Sequence, residues 1–263
     1  MERGAAVLRG SESGNGPSVV LIHAGVADRR SWFEVMDQLS GQGVRCLAYD
    51  QRGYGDTTYD TEPYSAREDL LAVLAGRGLS RAVLVGCSRG GQIALDVAVT
   101  MPEVVDALML IGSAPSDAPF PTSPPEVTEL AAAVEKAEAA GDLAAVNELE
   151  ARIWLDGPMA PPGRVGSPAR DLFLDMNGRA LAAPDAGEME PFAPTWEELP
   201  RLGMPVSLLV GELDLPELRA AAEAVAARIP GAEFQLMPET AHLPMVEQPA
   251  ATAEAIRTLL ARL

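Results

Sequence analysis

A chain of 263 residues, 48% of them hydrophobic, can bury a substantial core as one large domain or two small ones. Its formal charge of −18, from 38 acidic and 20 basic residues, makes nucleic acid and anionic membranes poor partners, because phosphate repels such a surface. The two cysteines, Cys46 and Cys87, stand at the ends of different predicted strands and suggest neither a disulfide framework nor a metal cluster.

No apolar run is long enough to cross a bilayer, and the first ten residues lack the sustained apolar stretch of a signal peptide. The expectation is therefore a cytoplasmic monomer or homodimer with no metal and no cofactor.

In chain order, 5–10 reads as an edge strand, followed by buried strands at 18–23, 44–50, 81–86, 105–112 and 205–211, with a weaker one at 231–239. Their hydrophobicity is continuous, not alternating, as a sheet covered on both faces requires. Amphipathic helical stretches fall at 31–40, 66–75, 89–100, 215–228 and 250–263. Strand–helix alternation predicts parallel pairing with right-handed crossovers and a doubly wound α/β sheet. The alternation breaks after Gly112, where a Pro-rich entry leads to helical patterns at 126–140, 143–154 and 168–181. The expectation is a core of 1–115 and 201–263, with 116–200 a helical cap over the carboxyl ends of the strands, where such sheets bind ligands.

One segment carries a chemical signature. Gly86-Cys87-Ser88-Arg89-Gly90 follows an apolar strand and opens a helix, the context that a G-x-S-x-G nucleophile elbow needs. The bare pattern is weak, and a plain tight turn remains the competing reading. A serine hydroxyl needs a base, and the chain has two histidines. On an elbow of this kind the acid and base follow the serine in the order Asp/Glu, then His, which only His242 satisfies.

The orienting acid is expected at the end of the preceding strand, which selects Asp214, with Glu212 and Asp117 as rivals. The backbone amides of Arg89 and Gly25 are the candidate oxyanion donors, although Ala24-Gly25 reads equally as a simple turn. His23 reads as a brace for that loop, and Cys87 as packed beneath the elbow.

Taken in order, LIHAGVADRRSW, YDQRGYGDT, LVGCSRGGQIALDVAVTMPEVVDALMLIGSAP, LLVGELDLP and ETAHLPMVEQP resemble the α/β-hydrolase fold family of lactonases, esterases, cofactor-free haloperoxidases and carbon–carbon bond hydrolases. With WLDGP (154–158) in the insertion, the arrangement is similar to the 3-oxoadipate enol-lactonase-like branch.

The resemblance implies a mostly parallel sheet with the cap inserted after the sixth strand. It also implies Ser88, Asp214 and His242 as the catalytic triad, and Asp50 and Arg52 in a structural turn. Related dehalogenases and epoxide hydrolases carry Asp at the nucleophile position, where this chain has Ser88.

Two departures stand out: His23-Ala24 replaces the usual His-Gly, and Cys87 precedes the nucleophile. Both fall where they could reshape the pocket wall. Candidate pocket residues are His23, Val26, Trp154, Met159, Phe173, Met176 and Asn177, with Arg89 placed to pair with a single carboxylate. The expected activity is a serine hydrolase acting on a small-molecule ester or lactone. Carbon–carbon bond or perhydrolase chemistry with the same triad is the alternative within enzymes, and a non-turnover ligand receptor the alternative outside them.

Overall fold

The computed structural model describes all residues, 1–263. Seven strands form the central sheet: β1 (Gly10–Ser13), β2 (Ser18–Ile22), β3 (Arg45–Tyr49), β4 (Ala82–Cys87), β5 (Val105–Ile111), β6 (Val206–Gly211) and β7 (Glu233–Met237). Their spatial order is β1-β3-β2-β4-β5-β6-β7, and every pair is parallel except the antiparallel β1–β3 edge.

The continuous apolar runs are explained by burial on both faces. On one face α2 (Ala66–Gly76), α3 (Arg89–Thr100) and α7 (Pro216–Arg228) cover a cluster that includes Val20, Leu84, Leu108 and Leu208. On the other, α1 (Phe33–Ser40) and α8 (Pro249–Leu260) cover Val19, Val83, Val85 and Ile111. Adjacent residues of one strand therefore belong to opposite cores, as the two-residue repeat of a strand dictates.

The amino-terminal edge differs from expectation. Ala6–Val7 pairs with Glu2–Arg3 in a separate two-residue ladder, and the sheet edge is instead the polar segment Gly10–Ser13. A strand with one partner and one solvated side needs no apolar run, so the hydrophobic pattern pointed a few residues too early. Counted along this sheet, the helical insertion follows the fifth strand, one earlier than the resemblance implied.

The insertion comprises α4 (Pro125–Ala139), α5 (Leu143–Glu150), a π-helical turn at Ala151–Leu155 and α6 (Ala169–Leu181). It is bound closely to the sheet. Phe173 and Met176 of α6 are buried in the same cluster as Trp32 and Leu21. Its return segment crosses the loop after β3, where Tyr64 and Met189 form a β-bridge. Asp156 of the WLDGP stretch is fully buried and accepts hydrogen bonds from the Gly163 and Val165 amides, an internal staple of the insertion.

The chain runs outward from β2 in both directions: β3 lies on one side and β4 on the other. The crevice beyond the carboxyl ends of β2 and β4 is thus the switch point at which such sheets bind ligands. Here α3 begins almost in contact with β2. A Cβ added at Gly90 would lie 2.3 Å from Ile22 O and 2.6 Å from His23 O, so only glycine permits the crossing. Gly90→Ala is expected to lower unfolding free energy by about 3 kcal/mol, the upper range for overpacking a close backbone contact. Urea unfolding measures this, and a wild-type midpoint would contradict it.

Candidate active site

Ser88 joins β4 to α3 with φ 52° and ψ −118°. Only one other non-glycine residue, Glu239, has positive φ. Such a backbone costs on the order of 1–3 kcal/mol and persists only where its surroundings enforce it. They do so here through hydrogen bonds on both sides of the residue. Ser88 N–H donates to Ile111 O at 2.8 Å, and Ser88 O accepts from Gly91 N–H at 2.8 Å and the Ser113 hydroxyl at 2.8 Å. A Cβ at Gly86 would stand 2.2 Å from Gly90 O, so the elbow closes only over bare glycine.

His242 and Asp214 arrive on the loops after β7 and β6. His242 Nδ1 lies 3.0 Å from Asp214 Oδ1 and 2.9 Å from Oδ2, with both side chains buried. Asp214 Oδ1 also accepts from Leu215 N–H at 2.8 Å. Leu213 N–H donates to Thr240 O at 2.8 Å and ties the two loops together. Both ring contacts use Nδ1, which leaves Nε2 for a proton acceptor role. Gly112, at φ 49°, forms the floor of this pair. A Cβ there would meet Asp214 Oδ2 at 2.9 Å and His242 Nδ1 at 3.0 Å.

The rival acids are placed elsewhere. Glu212 is exposed and accepts from Glu239 N–H, while Asp117 pins the amides of Thr195 and Trp196. Cys87 is fully buried, and its thiol points to His242 O at 3.4 Å. Burial, with the nearby Asp214 carboxylate, pushes this thiol well above its ordinary range, so it stays protonated and unreactive.

His23 anchors the loop after β2. Its Nε2 accepts from Gln51 N–H at 3.0 Å, so the proton sits on Nδ1, which donates to Ala24 O at 2.8 Å. The Gln51 side chain closes the clamp: its Nε2 donates to His23 O at 2.7 Å and its Oε1 accepts from Arg89 Nε at 2.9 Å. Gly25 follows directly, with its Cβ position 3.9 Å from the Arg89 Cβ. The Arg89 amide is the first of α3 and has no acceptor within the helix. The Arg89 guanidinium is held by Gln51 and by Tyr64 Oη at 3.1 Å, which takes it away from the substrate-carboxylate role considered for it. Asp50 and Arg52 both serve as braces. Asp50 accepts from the Arg29 and Asp56 amides, and Arg52 pairs with Asp69 and Glu62.

Ser88 and His242 line one cavity of about 290 Å³. Trp154 lines it too, its ring 4.6 Å from that of His242. The other expected pocket residues lie elsewhere. Met159 is exposed in a separate surface hollow with Glu126 and Arg152. Phe173 and Met176 are core, and Val26 packs against that same core. Asn177 donates to Asn147 and Glu150 within the insertion, and His23 is spent on its clamp.

Residues the sequence did not single out take their places. Gln92 is one turn along α3 from the serine, and Ser113 and Ala114 follow β5. Phe120 comes from the Pro-rich entry, while Leu215, Glu217 and Leu218 come from the start of α7. A common signal was present: most of these positions follow the carboxyl end of a strand, where α/β sheets bind ligands. A larger hollow of about 420 Å³ among Arg3, Arg52, Glu62 and Tyr64 contains none of Ser88, Asp214 or His242.

Burial lowers the His23 imidazole from 6.5 to about 4. The unfolded chain therefore binds a proton between those values that the folded chain refuses. The resulting stability is complete above 6.5 and is lost as pH falls toward 4, by about 3 kcal/mol. Carboxylates titrate in both proteins, so unfolding wild type and His23→Gln at pH 7 and pH 4.5 should show a loss about 3 kcal/mol larger in the wild type. An equal loss in both would contradict the neutral clamp.

The chain matches the alpha/beta hydrolase family over residues 19–255. It is 34% identical over 124 residues to bifunctional epoxide hydrolase 2 of Sus scrofa, a match covering 45% of this chain and 21% of that protein. It is 27% identical over 260 residues to the pimeloyl-(acyl-carrier protein) methyl ester esterase of Cronobacter sakazakii, covering 93% of each. Among solved structures, a thermophilic esterase from Thermogutta terrifontis superposes with a TM-score of 0.77 at 25% identity, covering 97% of this chain and 93% of that one. The enol-lactonase from Burkholderia xenovorans shares the fold, with a TM-score of 0.73 at 22% identity over 98% of both chains. Since the match runs through the elbow and through the His242 loop alike, the chain belongs to the alpha/beta hydrolase family.

Proposed function

We propose that the protein hydrolyses a small carboxylic ester or lactone through an acyl-enzyme on Ser88. The observation that carries this reading is the strained Ser88 backbone opening into the cavity shared with His242, whose Nδ1 is held by Asp214. In the first half-reaction Ser88 Oγ attacks the carbonyl carbon, and His242 Nε2 takes the hydroxyl proton. Asp214 fixes the ring tautomer and stabilises the imidazolium that forms. The amides of Gly25 and Arg89 receive the oxyanion, and the protonated His242 gives its proton to the departing alkoxide. Water then repeats the sequence on the acyl-enzyme and frees Ser88. Residues 116–200 serve as a cap, contributing Trp154 and Phe120 to the wall of the cavity that holds His242.

A fluorophosphonate probe is expected to label wild type and not Ser88→Ala. Asp214→Asn, which keeps the shape but not the charge, should lower kcat on neutral short-chain esters roughly 10⁴-fold. Equal labelling of wild type and Ser88→Ala would overturn the assignment of the nucleophile.

A further inference from the structure

We infer that Glu217 selects substrates carrying an ammonium group near the scissile ester. The inference rests on the hydrolase reading above and names the substrate class of the same site. Glu217 is the second residue of α7 and lines the cavity shared by Ser88 and His242. Its Oε1 accepts from the Ser123 hydroxyl at 2.6 Å, which fixes the carboxylate in place. Its Oε2 is buried and has no hydrogen-bond partner.

A buried carboxylate oxygen without a donor is unfavourable, and its charge, screened by neither protein donors nor solvent, acts on whatever occupies the cavity that the residue lines. A carboxylate in the first turn of a helix is favoured by the helix dipole, but solvent-facing placement satisfies that equally and does not explain a buried, unpaired oxygen. The protein supplies no cation to the pocket. No arginine or lysine lines it, and the arginines of adjoining segments bond to other groups. Arg89 binds Gln51 and Tyr64, Arg152 binds the Gly157 and Pro158 carbonyls, and Arg219 binds Glu212 O.

The walls suit the same ligand. Phe120 and Trp154 line the cavity, and aromatic faces attract an alkylammonium group through their quadrupoles. A substrate ending in a carboxylate would instead meet a fixed like charge with no counter-ion. The pocket is thus built for an amine-bearing ester or lactone, and against the carboxylate-bearing kind.

The test uses three methyl esters of matched length: 4-aminobutyrate, pentanoate and the monoester of succinate. Binding to Ser88→Ala is read by titration calorimetry, and turnover by wild type is followed by proton NMR. The ammonium ester should bind at least about tenfold more tightly than the neutral one, and the carboxylate ester more weakly than both. Adding Glu217→Gln to Ser88→Ala should cut the ammonium-to-neutral binding ratio about ten- to hundredfold. Gln keeps the shape and an oxygen for Ser123, and non-specific attraction to the acidic surface would survive the substitution.

An unchanged ratio in Glu217→Gln, or wild-type preference for the carboxylate ester, would overturn the inference. Preserved binding preference with no turnover of any ester would contradict the hydrolase reading while leaving Glu217 in its assigned role.

Discussion

The site depends on one backbone constraint: Ser88 must hold a left-handed conformation while α3 starts against the end of β2. That geometry is available because Gly90 has no side chain to strike Ile22 O, and Gly86 none to strike Gly90 O. The strain, on the order of 1–3 kcal/mol, is offset by the hydrogen bonds that converge on Ser88 from Ile111, Gly91 and Ser113. Its consequence is to present the Ser88 hydroxyl at the switch point of the sheet while its neighbour Cys87 turns into the core. Two adjacent nucleophilic residue types thus receive opposite environments from one turn.

The remaining parts are held by protein contacts made before any substrate arrives. Asp214 and His242 rest on Gly112, whose missing Cβ leaves them room, and their loops are joined by the Leu213–Thr240 hydrogen bond. On the other side of the crevice, neutral His23 and Gln51 tie the Gly25 loop to Arg89. Under the proposed mechanism this preorganisation matters, because donors already aimed at a developing charge need not reorient during reaction. Desolvation that would be costly for a charged histidine is tolerated by His23 because its two ring nitrogens have one donor and one acceptor partner.

Much of this was legible in the sequence. Strands β2 to β6 are continuous apolar runs because both faces of the sheet are buried, and each polar residue at a strand's end then stands out. The places of Ser88, Asp214 and His242 just beyond strand ends were readable for that reason. The edge strand was not, since a half-solvated β1 needs no hydrophobic pattern.

The insertion was harder still. Phe173 and Met176 have the residue types expected of a pocket wall, yet α6 lies against the core of the sheet, and helical periodicity does not say which neighbour an apolar face meets. Glu217 was hidden differently: Pro216-Glu217 is an ordinary helix start, and only the tertiary arrangement brings it to the cavity that Ser88 also lines. Long-range packing, not local propensity, decides both.

In the proposed reaction the elbow makes Ser88 Oγ the nucleophile that carries the acyl group and leaves Cys87 a structural neighbour. The direct measurement is acid quenching during turnover of a slowly deacylated aryl ester, followed by peptide mass mapping of the 84–94 segment. The acyl mass is expected on Ser88, with Cys87 unmodified. Acyl mass on Cys87, or steady turnover with neither residue modified, would contradict it.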